Sequence, residues 1–318
     1  MLLRQAASGG DATGDAISAL YGSLFHQGTV YPATAAAVPF LAELARRGPS
    51  RRSEFCWMLG MMADRDHAYG SAFDTVRAAV AAHVDVFTAL LADADAQVRV
   101  AAAYAVAQCA APAAPLRDRW AAEKEPYVRA SLLLALGLRD PAGSARTLAD
   151  AVMHAAPAVR AAAALALARN QIAWPDGGVA AVVSAIDAGA EVEYAWCHHP
   201  DWIDELLVLA DDELAAALLA QMLAAGPATT PGGCLGDDRA RPGAAFVTGT
   251  AAADDQAPAG RPGPGCPRRG GRRIAPVRGG VRAVLRRAVR DRRAVPADGR
   301  PEGDHTGAQG GGDVDAAR

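Results

Sequence analysis

The chain has 318 residues, 51% of them hydrophobic but only 5% aromatic, and a formal charge of −3 at neutral pH. That length admits one large domain or two ordinary ones, and no run of about 18 apolar residues marks a membrane span. The five cysteines are widely spaced with no Cys-x-x-Cys pair, which argues against a disulfide framework and for a reducing compartment.

The opening segment, residues 1–12, carries Arg4 and then Ser8-Gly9-Gly10-Asp11 with no long apolar run, and reads as a flexible N-terminus without a signal peptide, so the cytoplasm is the expected location. Next comes Phe25-His26-Gln27-Gly28-Thr29-Val30-Tyr31-Pro32. Gly28 permits an unusual turn and Pro32 suits the first position of a helix. His26, Gln27 and Tyr31 make this loop a candidate partner contact, although no carboxylate or nucleophile is tied to His26 by motif. A helix is predicted over residues 53–63, with Met58, Met61 and Met62 as core filler. Asp64-Arg65-Asp66-His67 reads as a solvated loop after it.

Three segments then repeat at nearly one interval. Val-Arg pairs stand at 98–99, 128–129 and 159–160, each followed by small and aliphatic residues. Val98, Ala102, Ala105 and Val106 fall on one helical face, as do Val128, Leu132, Ala135 and Leu136, and Val159, Ala163, Ala166 and Leu167. Asp95 is placed as an N-cap, Glu125 sits at the matching position, and Ala156 leaves the third repeat without an acid there. A second helix precedes each one: around 84–91, 116–122 and 145–153. Two short helices and two turns fill about 30 residues, and such a pair buries its apolar face only by stacking on a neighbour.

Asp-x-x-Val-Arg followed by small and aliphatic residues resembles the HEAT repeat, and the short step is similar to that of phycobilisome-lyase-like HEAT proteins. The clear match covers residues 84–170 and a looser one runs to about 226. The segment from Leu24 to Thr34, with Val38-Pro39-Phe40-Leu41, resembles the opening of a bacterial HEAT-repeat group of unassigned activity. The resemblance implies an all-α fold, an α-solenoid of stacked antiparallel helix pairs over residues 13–226, with a protein-binding role and no lyase chemistry. It further implies that Arg99, Arg129 and Arg160 form an inter-repeat ladder, with Asp95 and Glu125 as acid partners.

Near the end of this array, Trp196-Cys197-His198-His199-Pro200-Asp201-Trp202 is the most site-like cluster. Cys197, His198, His199 and Asp201 are all metal-ligand types. Neighbours on a helix point about 100° apart, however, so one ion could not take all of them there. Pro200 and Asp201 read more simply as a helix break, with the next helix over 203–209.

The composition then changes. Residues 1–230 hold 16 basic and 25 acidic residues, whereas residues 231–318 hold 16 arginines, 10 acids, 18 glycines and 9 prolines. The stretch 227–318 is expected to be disordered. It reads either as the product of a slipped reading frame in GC-rich DNA or as a basic arm for nucleic acid.

No phosphate loop, zincin or nucleophile-elbow motif occurs, and no cofactor is expected. The leading expectation is a non-catalytic scaffold for a protein partner. A DNA-binding or DNA-glycosylase-like enzyme is the alternative, but the acidic balance of residues 1–226 disfavours nucleic acid, leaving the basic tail as the other route to it.

Overall fold

The computed structural model describes residues 1–10, 12–199 and 201–224. The boundary at 226 and the readings of the tail lie outside the described residues. The described part is mostly helical, with fourteen α-helices, one 3-10 turn and one two-stranded hairpin. No helix among the described residues is long and apolar enough to cross a membrane.

The first residues, expected to be flexible, carry α1 (Leu2–Ala6), and α2 (Ala12–Leu24) follows. Leu2 and Leu3 pack on the core and Ala6 is fully buried, which anchors the segment. The hairpin comes next, β1 (Phe25–His26) paired antiparallel with β2 (Thr29–Val30). Gln27 and Gly28 both have positive φ, 49° and 84°, the backbone that a two-residue hairpin turn requires. A side chain at 28 would also run into the His67 carbonyl, 2.6 Å from an ideal Cβ.

The helical array consists of α3 (Pro32–Arg47), α4 (Arg52–Ala63), α5 (Phe73–Ala81), α6 (Val84–Leu90), α7 (Ala96–Gln108), α8 (Ala114–Ala122), α9 (Pro126–Arg139), α10 (Pro141–Ala151), α11 (Pro157–Asn170), α12 (Gly178–Asp187), α13 (Trp202–Leu209) and α14 (Asp212–Ala224). Within it, α4, α7, α9 and α11 pack each on the next, in chain order, while α6 lies on α7, α8 on α9, and α10 on α9 and α11. The Val-Arg helices are α7, α9 and α11.

These three helices are buried more fully than one apolar stripe implies. In α7, Val100–Ala107 are all buried; in α9, Ala130–Gly137; in α11, Ala161–Ala168. α7 and α9 lie between two row neighbours and α11 between α9 and α13, each under an outer helix, so nearly every face meets protein. A helix apolar all round is a core helix, and alanine lets such helices approach closely. Gly60 on α4 marks one such approach: a Cβ there would stand 2.5 Å from the Tyr104 ring of α7.

Helix starts follow local chemistry. The Asp95 carboxylate accepts from the Gln97 amide at 2.8 Å and caps α7. Glu125, in the same position before α9, makes no side-chain cap; Pro126 and Pro157 instead open α9 and α11.

Candidate functional site

Two arrangements of polar side chains stand out, and both depend on residues that fall in loops. The first lies where three loops meet. Tyr69 joins the hairpin to the loop after α4: its amide donates to Gly28 O at 2.9 Å, its carbonyl accepts from Val30 N at 3.0 Å, and its hydroxyl donates to Gln27 O at 2.6 Å. His26 and Gln27 are exposed at the turn, and Tyr31 is 42% exposed at the start of α3. The Thr34 hydroxyl ties that start to Leu24 O.

The same loop meets the 190–199 segment from its other side. His198 Nε2 lies 2.9 Å from an Asp66 oxygen and its Nδ1 lies 3.0 Å from Glu205 Oε1. His67 and His198 have ring centroids 6.0 Å apart, and Tyr194 is 6.3 Å from His67. The loop expected to be merely solvated is therefore the meeting point of both sequence-level candidates.

Behind these rings sit two buried carboxylates. Asp64 accepts from the Tyr104 hydroxyl at 2.7 Å and the Asp66 amide at 3.0 Å, with His67 Nδ1 at 3.1 Å. Burial works against its charge, but these bonds, led by His67, hold its pKa below the ordinary range. Glu205 on α13 meets His198, the His198 amide and Arg169. Burial opposes its charge too, yet His198 and Arg169 hold its pKa down to about 2. His198 is raised in turn, first by its bond to Glu205, against a smaller opposing effect of burial. A histidine facing a carboxylate at each ring nitrogen is best served by two N–H groups, which only the imidazolium has.

The 190–199 segment is held at several further points. Trp196 is buried, its indole N–H donates to Ser131 Oγ at 3.1 Å, and its carbonyl accepts from Arg169. Ser131 passes the chain on to Val100 O at 3.0 Å.

The four candidate metal ligands have separate roles here. Cys197 is buried and burial pushes its thiol up to about 12, so it is not a thiolate at neutral pH. His198 is engaged as described, His199 Nε2 is 4.0 Å from Glu205, and the Asp201 carboxylate caps α13 through the Ile203 and Asp204 amides. Among the described residues, no three His, Cys, Asp or Glu side chains stand where one metal ion could take them.

The second arrangement is the arginine ladder, and its acids are not the expected ones. Each Val-Arg arginine turns back on the loop before its own helix. Arg99 Nη1 donates to Asp93 O at 2.9 Å, Arg129 Nη1 to Glu123 O at 2.7 Å, and Arg160 Nη1 to His154 O at 2.9 Å. The acceptor is always six residues before the arginine. The side chain at that position is reused as well: Asp93, Glu123 and His154 each accept from the amide two residues on, at 2.9 to 3.0 Å. The side chains also reach the arginine of the preceding row helix. Arg52 of α4 meets Asp93 at 2.7 Å, and Arg99 of α7 meets Glu123 at 2.9 Å. The rung acids are thus Asp93 and Glu123. Asp95 and Glu125 lie two residues further on, at the helix N-caps, where an acid faces its own helix.

Glu123 is nearly fully buried between Arg99 and Arg119. Burial opposes its charge, but Arg99, the Glu125 and Lys124 amides and Arg119 hold its pKa down to about 2. A pattern legible in the sequence marks these positions, since 93, 123 and 154 step by nearly the same interval as the arginines.

No protein-family model, curated protein or solved structure matches the chain.

Proposed function

We propose that residues 13–224 form an α-solenoid of stacked helix pairs, similar to HEAT repeats, that works as a non-catalytic scaffold for a protein partner. The observation that carries this reading is the threefold loop geometry, in which residues 93–99, 123–129 and 154–160 make the same carbonyl-to-arginine bond and the same amide-to-side-chain bond. Local units that reproduce one another while their core helices pack in chain order are what a nearest-neighbour architecture provides, and the 190–199 segment, which reaches back to Tyr104 and Asp66, departs from it. Large apolar side chains stay exposed on this array, among them Phe40 at 61%, Tyr127 at 47% and Leu138 at 51%. Such side chains are contact material when a partner covers them.

The test places a photo-crosslinking residue in the full chain at 127, 138 or, as a control, at 146 on the exposed face of α10. In extracts of the source cells, discrete protein adducts at 127 or 138 and none at 146 support the scaffold. Adducts at none of the three, combined with a clear shift of duplex DNA at low salt, would replace it with the nucleic-acid reading. Loss of that shift on deleting residues 231–318 would assign it to the tail.

A further inference from the structure

The ladder is complete twice and then interrupted. Arg52 has Asp93 and Arg99 has Glu123, but the third rung places His154 where the first two place a carboxylate. The consequence is visible on the arginines. Arg129 Nε is buried and has no hydrogen-bond partner among the described residues, whereas the equivalent Arg99 Nε donates to Glu123 Oε2 at 2.9 Å; Arg160 Nε, one rung further on, is orphaned as well. A buried guanidinium N–H left unpaired carries a desolvation cost that natural structures rarely leave standing without a reason.

His154 does not substitute for the acid. Its Nδ1 accepts from the Ala156 amide at 3.0 Å, so its ring hydrogen is on Nε2 and the group it turns outward is another donor. Burial, then Arg129 and Arg160, lower its pKa and keep it neutral, so it adds no charge of its own. Burial lowers Arg160 as well. Arg129 Nε and His154 Nε2 are therefore donors without an acceptor, and no carboxylate among the described residues forms an ion pair with Arg129 or Arg160.

We propose that the gap formed by Arg129, His154 and Arg160 is an anion site whose ligand is a carboxylate. The intact rung supplies the template for the ligand. Glu123 engages Arg99 with both oxygens, Oε2 on Nε at 2.9 Å and Oε1 on Nη2 at 3.3 Å, the forked pairing that a planar carboxylate makes with guanidinium. Arg129 is held ready for such a ligand, its guanidinium carbon 3.8 Å from the centre of the Trp120 ring. On the protein-binding reading, the ligand is an Asp or Glu side chain of the partner; the site itself does not depend on that reading.

The experiment uses the full chain labelled with ¹⁵N-arginine and follows the Nε–H resonances during titration with acetate, against chloride at constant ionic strength. Saturable shifts at Arg129 and Arg160, with Arg99 unmoved, are expected. His154→Glu should shift the Arg129 resonance without acetate, abolish the acetate response and raise the melting temperature by about 2–4 °C. Arg160→Gln, which removes no ion pair, should weaken acetate binding at Arg129 by about tenfold or more. A response that does not saturate, or one unchanged in both variants, would sink the site. Tighter saturation by inorganic phosphate than by acetate, by about tenfold or more, would overturn the carboxylate assignment. A saturable acetate response without partner adducts at 127 or 138, together with a shift of duplex DNA, leaves the site standing and removes the scaffold reading. Adducts without an acetate response do the reverse.

Discussion

Trp196 stands edge-on to Tyr104, with ring centroids 4.9 Å apart and planes at 87°. Tyr104 is on α7, the first Val-Arg helix, and Trp196 lies in the 3-10 turn near the other end of the array. Tyr104 also contacts Trp57 of α4 at 5.1 Å, and its hydroxyl is spent on Asp64. One ring therefore joins α4, α7 and the 190–199 segment.

Trp196→Ala should cost about 3–5 kcal/mol, the usual range for emptying an aromatic site in a packed interior. It also strands the Ser131 hydroxyl, which still has Val100 O as an acceptor, so that part of the loss is small. Urea titration of the full chain gives the number. A loss under about 1 kcal/mol would mean that Trp196 rests on the surface of α7 without filling it.

Gly60 and Gly22 set two effects against each other. Both are helical, and alanine is favoured over glycine in a helix by about 1 kcal/mol. At Gly22 a Cβ meets nothing within 4 Å, so Gly22→Ala should stabilise by about 0.5–1 kcal/mol. At Gly60 a Cβ meets the Tyr104 ring at 2.5 and 2.8 Å, and the Cα of Ala105 at 3.3 Å. Tyr104 is fixed by Asp64 and two indoles, so it cannot yield. Gly60→Ala should destabilise by about 1–3 kcal/mol despite its better propensity. Melting temperatures moving in opposite directions confirm the close α4–α7 approach.

Glu123 separates the observed ladder from the expected one. Glu123→Gln leaves Arg99 and Arg119 without their carboxylate and should cost about 3–5 kcal/mol, whereas Glu125→Ala, at an exposed position without a cap, should stay within about 0.5 kcal/mol. The pH dependence follows from the sign of the shift. The folded pKa, about 2, lies below the unfolded value of about 4.3, so the stabilisation is fully present above that value and lost as pH falls toward 2. Glu205, also held down to about 2, acts in the same window and the same direction. In acid titrations of unfolding free energy, Glu123→Gln should flatten part of the slope between about pH 5 and 2.

How much of this was legible depends on sequence separation. The Val-Arg step located α7, α9 and α11 because their packing repeats locally, and Asp95 declared itself as a cap. The rung acids repeat at the same spacing as the arginines, but the HEAT resemblance assigns their part to Asp95 and Glu125, two residues further on, where the acid faces its own helix. The loop site was not legible. Asp66 and His198 are 132 positions apart and belong to no repeat, so nothing in local spacing joins them. Only the path of the 190–199 segment, set by the burial of Trp196 and Cys197, brings them together.

That pairing has its own test. His198 is raised above the ordinary histidine value, chiefly by Glu205 and then by Asp66. A raised folded pKa contributes stability that is fully present below the unfolded value, about 6.5, and lost as pH rises through the folded one. Asp66→Asn removes the partner at Nε2 and keeps Glu205 at Nδ1. It should therefore lower the His198 pKa without returning it to the ordinary value, and shrink the loss of stability as pH rises above about 6.5. The imidazole carbon resonances of His198, followed by NMR from acid to alkaline pH, read this directly. With side chains 39% and 63% exposed, the His198–Asp66 contact is softened by water, and the stability change should stay near about 1 kcal/mol or below. A His198 titration identical in parent and variant would show that Asp66 faces solvent, and would leave Glu205 as the one carboxylate that sets the histidine's charge.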